Sequence, residues 1–215
     1  MTNTIKELFF SHDKNIVHKW THYLDIYEKW FSSYKNIDIK LLEIGVSMGG
    51  SLQLWQKYFN SNSIIVGLDI NPACKVMEKD NISIIIGSQD DSKLLNNIPH
   101  SFDIIIDDGS HVQSHIITSF ENLWEKLNFG GIYLIEDLHT SYWEEFGGGL
   151  NSKTSVIEYF KNILDFLNGH HVRDKTFINK WTQQIGGIHF YDSIIVIEKN
   201  KNELPYHSKK GNIII

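Results

Sequence analysis

The sequence predicts an α/β fold, a doubly wound and mostly parallel sheet of the Rossmann-like kind. Two observations carry that prediction. Six short apolar blocks recur along the chain: 41–45 (LLEIG), 64–70 (IIVGLDI), 82–87 (ISIIIG), 102–108 (FDIIIDD), 131–137 (GIYLIED) and 193–198 (SIIVIE). Each is rich in Ile, Val or Leu and nearly continuous, as strands buried on both faces are. Between them the apolar spacing turns helical: Leu52, Trp55, Tyr58 and Phe59 share one face, and Val112, Ile116, Phe120, Leu123 and Leu127 another. Strand and helix in alternation imply helices on both sides of a parallel sheet.

The flanking segments follow in order. Residues 12–34 carry Trp20, Tyr23, Leu24, Tyr27 and Phe31 at helical spacing, so 1–36 reads as a helical cover over a 37–199 core. Ser155 and Glu158 are spaced like a capping box before Phe160, Ile163, Leu164 and Leu167, predicting a helix over 152–168. Gly186–Gly187 followed by two apolar runs predicts a closing antiparallel hairpin. Residues 200–215 read as a tail, loose or with GNIII packed on a neighbour. The whole reads as a single domain.

Composition narrows the function. The chain has 215 residues, 41% hydrophobic and 21% charged, ordinary for a globular protein. A net charge of −6 disfavours a nucleic-acid partner or an anionic membrane surface. The single cysteine, Cys74, excludes an internal disulfide and any multi-cysteine zinc site. No secretory signal and no membrane-length apolar run is visible, so the expected setting is the cytoplasm. A homo-oligomer stays open.

The turn after the first strand, Gly45-Val46-Ser47-Met48-Gly49-Gly50-Ser51, fits three motifs in part. A P-loop would need Lys where Ser51 stands. A nucleophile elbow on Ser47 would make the chain a serine hydrolase, but that elbow needs several strands before it. A nucleotide-binding turn fits Gly45 and Gly50. Ser47 replaces the middle glycine that lets a pyrophosphate approach, which disfavours a nicotinamide dinucleotide but not an adenosyl cofactor. Asp69 ends the second strand, where an acid can accept both ribose hydroxyls. Gln89 and Asp90 follow the third strand, within reach of an adenine amino group. Glu43 lies inside the first strand, where a carboxylate needs a partner; the cationic amino-acid part of a cofactor would supply one.

LLEIGVSMGGS, with these strand-end acids in register, resembles the class I S-adenosylmethionine-dependent methyltransferases. That resemblance implies that Glu43, Gly45, Ser47, Asp69 and Gln89 or Asp90 line the cofactor site, with Gly50, Ser51, Ile70 and Asp107 beside them.

Asp107-Asp108-Gly109-Ser110-His111 and Glu136-Asp137-Leu138-His139 leave two strands on the same edge as the turn. Three gathered carboxylates, Asp108, Glu136 and Asp137, would repel one another unless a cation sat among them. An all-oxygen set suits Mg²⁺ or another hard divalent cation. The blander reading has Asp108 capping the next helix. His111, beside these acids, is a candidate base, and His139 a second. IDDGSH together with IEDLHTSYW resembles the metal-dependent sugar O-methyltransferases of macrolide tailoring, the macrocin and mycinamicin type, and short bacterial glycan-pathway relatives. The resemblance implies Asp108, Glu136 and Asp137 on Mg²⁺, His111 as base, and a sugar hydroxyl as acceptor. SHDKNIVHKWTHYLDIY resembles the short members, which makes Lys14 and His18 candidates at the cofactor. The stretch 139–150, HTSYWEEFGGGL, reads as a mobile flap whose Tyr142 and Trp143 could stack on a sugar. Rival readings are the Ser47 hydrolase, a methyltransferase with a non-sugar or nitrogen acceptor, a nicotinamide oxidoreductase, an iron oxygenase and a glycan-binding module.

Overall fold

The structure, a computed structural model, describes residues 3–99 and 101–212; Ile213–Ile215, part of the expected packing tail, lie outside them. Seven strands form one sheet: β1 Lys40–Ile44, β2 Ile64–Asp69, β3 Ile82–Ile86, β4 Phe102–Asp107, β5 Leu127–Ile135, β6 Ile185–Tyr191 and β7 Ile194–Lys199. Their spatial order is β3-β2-β1-β4-β5-β7-β6. The first five run parallel, and β7 is antiparallel to both β5 and β6, as the hairpin reading expects. Strand order reverses between β1 and β4, and the crevice at the carboxyl ends there is where open α/β sheets bind ligands.

The helices are α1 Ile5–Phe10, α2 Tyr23–Phe31, α3 Gly50–Tyr58, α4 Ser92–Asn96, α5 Gln113–Leu123, α6 Val156–Leu167 and α7 Lys180–Gln184. Strand side chains alternate between faces, and this divides the core in two. Leu41, Ile104, Ile106, Ile132 and Leu134 pack with Tyr23, Leu24, Tyr27, Phe31, Leu52 and Trp55 from α2 and α3. Leu42, Ile44, Ile105, Tyr133 and Ile135 pack with Ile116, Phe120, Phe160 and Trp181 from α5, α6 and α7.

Three expectations need correction. The helix predicted over 12–34 begins only at Tyr23. Residues 12–20 run irregularly because they lie across the glycine turn: a Cβ at Gly50 would collide with the backbone carbonyls of Asn15 and Ile16. Trp20 is consequently exposed rather than part of a buried face. Leu164 is likewise exposed on α6, although Ser155 does cap that helix by accepting from the Glu158 N–H at 3.2 Å. The segment 139–150, expected as a flap, has regular local structure. It forms two short 3-10 turns tied to themselves, with Gly148 N–H donating to the Trp143 carbonyl at 3.0 Å and Gly149 N–H to Ser141 at 2.9 Å. Residues 203–212 are exposed and without regular structure.

Candidate active site

Two cavities meet at the carboxyl edge and share Gly45, Ser47, Asp108 and Gly109 as walls. The first, about 280 Å³, lies over β2 and β3 and is lined by Ile44, Leu68, Asp69, Ile70, Ser88 and Gln89. The second, about 270 Å³, lies toward the N-terminal segment, with His18, Lys19, Ser51, His111 and Asp137.

The glycine turn is held from within. Asp69 Oδ2 accepts from the N–H groups of Val46 at 2.9 Å and Ser47 at 3.0 Å, and its Oδ1 accepts from Asn71 N–H at 2.8 Å. Gly45 is required because Asp108 passes close: a Cβ there would collide with the Asp108 carbonyl oxygen. The glycines thus admit the chain's own backbone, where the sequence suggests room for a ligand. Among the described residues no strand stands ahead of β1 and its turn to feed an oxyanion loop.

Strand alternation sorts the acids. Glu43 pairs in register with Ile106, and Ile106 with Leu134. Counting two residues on from Ile106 and Leu134 puts Asp108 and Glu136 level with one another, on the face that carries Glu43. Asp107 points to the opposite face. There it accepts from the Ser119 hydroxyl and from Gln89 Nε2 at 3.1 Å. Burial pushes its carboxyl up to about 6. Asp107, expected among the cofactor residues, is fully buried and lines neither cavity. Its work is indirect: it grips Gln89, whose Oε1 accepts from Ser110 N–H at 2.5 Å and so braces the loop after β4.

Lys19 fills the space between the acids on the other face. Its Nζ lies 2.6 Å from Asp108 Oδ2, 2.9 Å from both Glu136 oxygens and 3.6 Å from Glu43 Oε1. Burial works against the Lys19 charge, but Asp108, Glu136 and Glu43 outweigh it and hold its pKa well above the ordinary lysine range. Burial pushes Glu136 well up, with Asp108 adding to the effect and Lys19 opposing it. Burial raises Glu43 to about 7 against the pull of Lys19. Ser51 Oγ at 2.9 Å and Trp55 Nε1 at 3.1 Å donate to Glu43 Oε2. The partners expected from a cofactor are therefore protein groups.

Three non-glycine residues at the exits of β1, β4 and β5 hold positive φ: Ser47 at 49°, His111 at 59° and Asp137 at 56°. Such conformations are strained and gather at functional sites. Each is braced. The His111 carbonyl accepts from Gln113 Nε2 at 3.1 Å and Thr140 Oγ1 at 3.3 Å. Asp137 Oδ1 accepts from the Tyr23 hydroxyl at 2.9 Å, and Asp137 N–H donates back to that oxygen at 3.2 Å. The left-handed turn at Asp137 interrupts strand alternation and leaves its carboxylate facing His111. His111 Nε2 lies 3.7 Å from Asp137 Oδ2 and 4.0 Å from Asp108 Oδ1. Donor atoms of Asp108, His111 and Asp137 all fall within 4.8 Å of one another, a group able to hold a metal ion. Glu136 does not join it, being turned onto Lys19. Asp108 does not cap α5 either; Val112 occupies that position without a side-chain cap.

The remaining sequence candidates divide. His18 lines the second cavity, whereas Lys14 lines a separate one with Gly49 and Met77. Asp90 is exposed on the rim, with His115 Nε2 at 3.4 Å. Ile70 is exposed at the mouth of the first cavity. Tyr142 and Trp143 are exposed, and a line of rings runs from Trp20 to His139 (5.9 Å) to Trp143 (4.8 Å) to Phe146 (6.0 Å) to His111 (6.5 Å). His139 Nδ1 sits 2.6 Å from Ser193 Oγ. Sequence reasoning missed Lys19 and Tyr23 as site residues. The only signal for Lys19 was its place beside the flagged His18.

Residues 42–138 match a protein family described as "Methyltransferase domain". By this match, residues 42–138 carry a methyltransferase domain. It is 34% identical over 191 residues to demethylmacrocin O-methyltransferase of Streptomyces fradiae, covering 82% of this chain and 48% of that protein. It is 31% identical over 205 residues to 8-demethyl-8-alpha-L-rhamnosyl tetracenomycin-C 2'-O-methyltransferase of Streptomyces olivaceus, covering 88% and 52%. Among solved structures the methyltransferase domain superposes on MycE methyltransferase of the mycinamycin pathway, solved with Mg, SAH and mycinamycin VI. The TM-score there is 0.85 at 30% identity, over 93% of this chain and 54% of that one. The chain thus spans about half the length of the relatives it matches. No helix among the described residues is long and apolar enough to cross a membrane.

Proposed function

We propose that the chain transfers the methyl group of S-adenosylmethionine to a hydroxyl of a sugar on a small glycosylated molecule, with Mg²⁺ as metal. One observation carries this reading: the carboxylates of Asp108 and Asp137 gather with His111 in one cavity of a methyltransferase domain, and Asp108 also walls the neighbouring cavity. The relatives named for sugar O-methylation support the acceptor class. The reading takes residues 1–36, 37–199 and 200–215 as one working unit in the cytoplasm, with neither nucleic acid nor membrane as partner.

The residues present fit both groups. The first cavity offers apolar walls from Ile44 and Leu68 for an adenine, with Asp69 and Gln89 at its polar edge. The second offers room beside Gly45 and His18 for the amino-acid part of the donor. Two partly exposed carboxylates, Asp108 and Asp137, would hold the metal, and hard oxygen ligands suit Mg²⁺. A bound divalent cation supplies Lewis acidity, which lowers the pKa of the acceptor hydroxyl. His111 Nε2 takes the hydroxyl proton, worth about 10²–10⁴-fold in rate. That nitrogen lies 3.7 Å from Asp137 Oδ2 and 4.0 Å from Asp108 Oδ1, so the base stands beside the residues that would hold the metal. The acceptor oxygen bonds to the methyl carbon as the carbon–sulfur bond breaks, leaving S-adenosylhomocysteine. Trp143, in ring contact with His139 and Phe146, and Tyr142, which lines a separate cavity with His139, are exposed and present faces for the sugar ring. Holding acceptor and donor in line is the largest contribution asked of the protein.

The test is transfer of labelled methyl to a panel of deoxysugar glycosides, before and after exhaustive chelation. Activity should vanish on chelation and return with Mg²⁺. Full turnover without metal would remove the metal from the reading. Failure of S-adenosylmethionine to bind in calorimetry would remove the whole of it.

A further inference from the structure

One polar cluster at the first cavity has no part in the reaction above. His115 is the third residue of α5, and it lines that cavity together with Ser88 and Ser110. Its Nδ1 lies 3.0 Å from Ser110 Oγ, on the loop after β4. Its Nε2 lies 3.4 Å from Asp90 Oδ2, on the loop after β3. The other oxygen of Asp90 accepts from the Ser88 hydroxyl. A chain of contacts, Ser88–Asp90–His115–Ser110, therefore joins the two loops that wall this cavity. The same loops are joined once more underneath, where Gln89 donates from Nε2 to Asp107 and accepts at Oε1 from Ser110 N–H. The two links differ in depth. Gln89 is buried, whereas the His115 and Asp90 side chains are 32% and 43% exposed.

We infer that His115 is a positioning residue for the methyl donor: with Asp90 it clasps the loops after β3 and β4 together around the adenosine. This rests on the donor reading above, which seats the adenine in this cavity. An exposed pair contributes little to folding, so the buried Gln89 link is left to hold the fold and the outer one to shape the cavity. Both hydroxyls that line the cavity take their direction from the clasp: Ser88 donates to Asp90, and Ser110 meets the His115 ring. Either protonation state of the ring serves, because the Ser110 hydroxyl can donate or accept. Without the clasp the donor itself must order these loops and side chains, at a cost that shows as about fivefold weaker binding.

The experiment is calorimetric titration of the intact chain with S-adenosylhomocysteine and with 5′-methylthioadenosine, which keeps the adenosine and lacks the amino-acid part. His115→Ala and Asp90→Ala should each weaken both ligands by about fivefold, because the clasp acts at the end the two ligands share. The double variant should bind within about twofold of either single one, since each alone opens the same clasp. Losses that multiply in the double variant overturn the inference and mark two independent contacts. A lower Tm with both affinities unchanged also overturns it, and marks a merely structural pair. Weakening confined to S-adenosylhomocysteine does the same, by placing the effect at the amino-acid end. Wild type that binds neither ligand overturns the donor reading and this inference with it. Wild type that binds both, matched by the variants, overturns the inference alone.

Discussion

Two acid pairs leave neighbouring strands of the same sheet, and they are used in opposite ways. Asp107–Asp108 ends β4 and Glu136–Asp137 follows β5. In the first pair the strand continues its alternation, so Asp107 drops to the far face and only Asp108 reaches the site. In the second, alternation sends Glu136 into the site and would send Asp137 away. A positive φ at Asp137 redirects it toward His111. Adjacent acids in a sequence are thus not adjacent donors. The pleat decides which one arrives, and a single backbone angle can reverse the decision.

The comparison breaks most visibly at β4. Asp108→Asn should lower methyl transfer by about 10³-fold with donor affinity within about threefold, measured by labelled-methyl assay and calorimetry. Asp107→Asn should keep turnover within about tenfold, since Asp107 touches neither cavity. Equal losses in the two variants would erase the distinction drawn here.

A second effect is read in stability. Asp107 in the folded chain is raised to about 6, above the ordinary aspartate value. Its folded form therefore holds a proton that the unfolded chain has released across roughly pH 4–6. The stability this contributes is full below the ordinary value and is lost as pH rises through about 6. The loss is on the order of 3 kcal/mol, from a shift near two pH units. Denaturant unfolding at pH 4, 5, 6 and 7 should show that decline in wild type and a flatter profile in Asp107→Asn. A wild-type profile that rises over this window would contradict the assignment.

At β5 the effects are smaller. Tyr23→Phe removes the hydroxyl that clasps Asp137, and should cost about 1 kcal/mol of stability. It should also lower kcat several-fold with little change in donor KM. An unaltered kcat would mean that Asp137 keeps its aim without Tyr23. Smallest of all, Ser47→Gly should raise stability by about 1 kcal/mol or less by relaxing a positive φ. A fall in Tm there would show that the Ser47 side chain contributes more than its backbone strain costs.

Much of this was legible in the residues. The apolar blocks and helical spacings located the strands of the sheet, and the strand-end motifs located Asp69, Gln89, Asp108 and His111 at its edge. What escaped was the direction of individual side chains. The helical spacing read over 12–34 rests on Trp20 and the residues after it, so nothing distinguished Lys19, which points inward, from Lys14, which lines a different cavity. Asp107 was placed at the cofactor by resemblance; counting by twos along β4 turns it to the face opposite Asp108. The turn at Asp137 could not be foreseen, since aspartate tolerates the left-handed region without announcing it. Tyr23 looked like one more aromatic on a buried helix face, and its hydroxyl partner comes from an element 114 residues away.

The left-handed residues at three strand exits place a limit on how this site can be altered. Glycine is the one amino acid that would sit there without protest, and glycine brings nothing to bind with. At His111 and Asp137, comfort of the main chain and reactivity of the side chain are rival claims on a single position. Any attempt to make this protein more heat-resistant by smoothing its backbone would blunt it at the very places where it is sharpest.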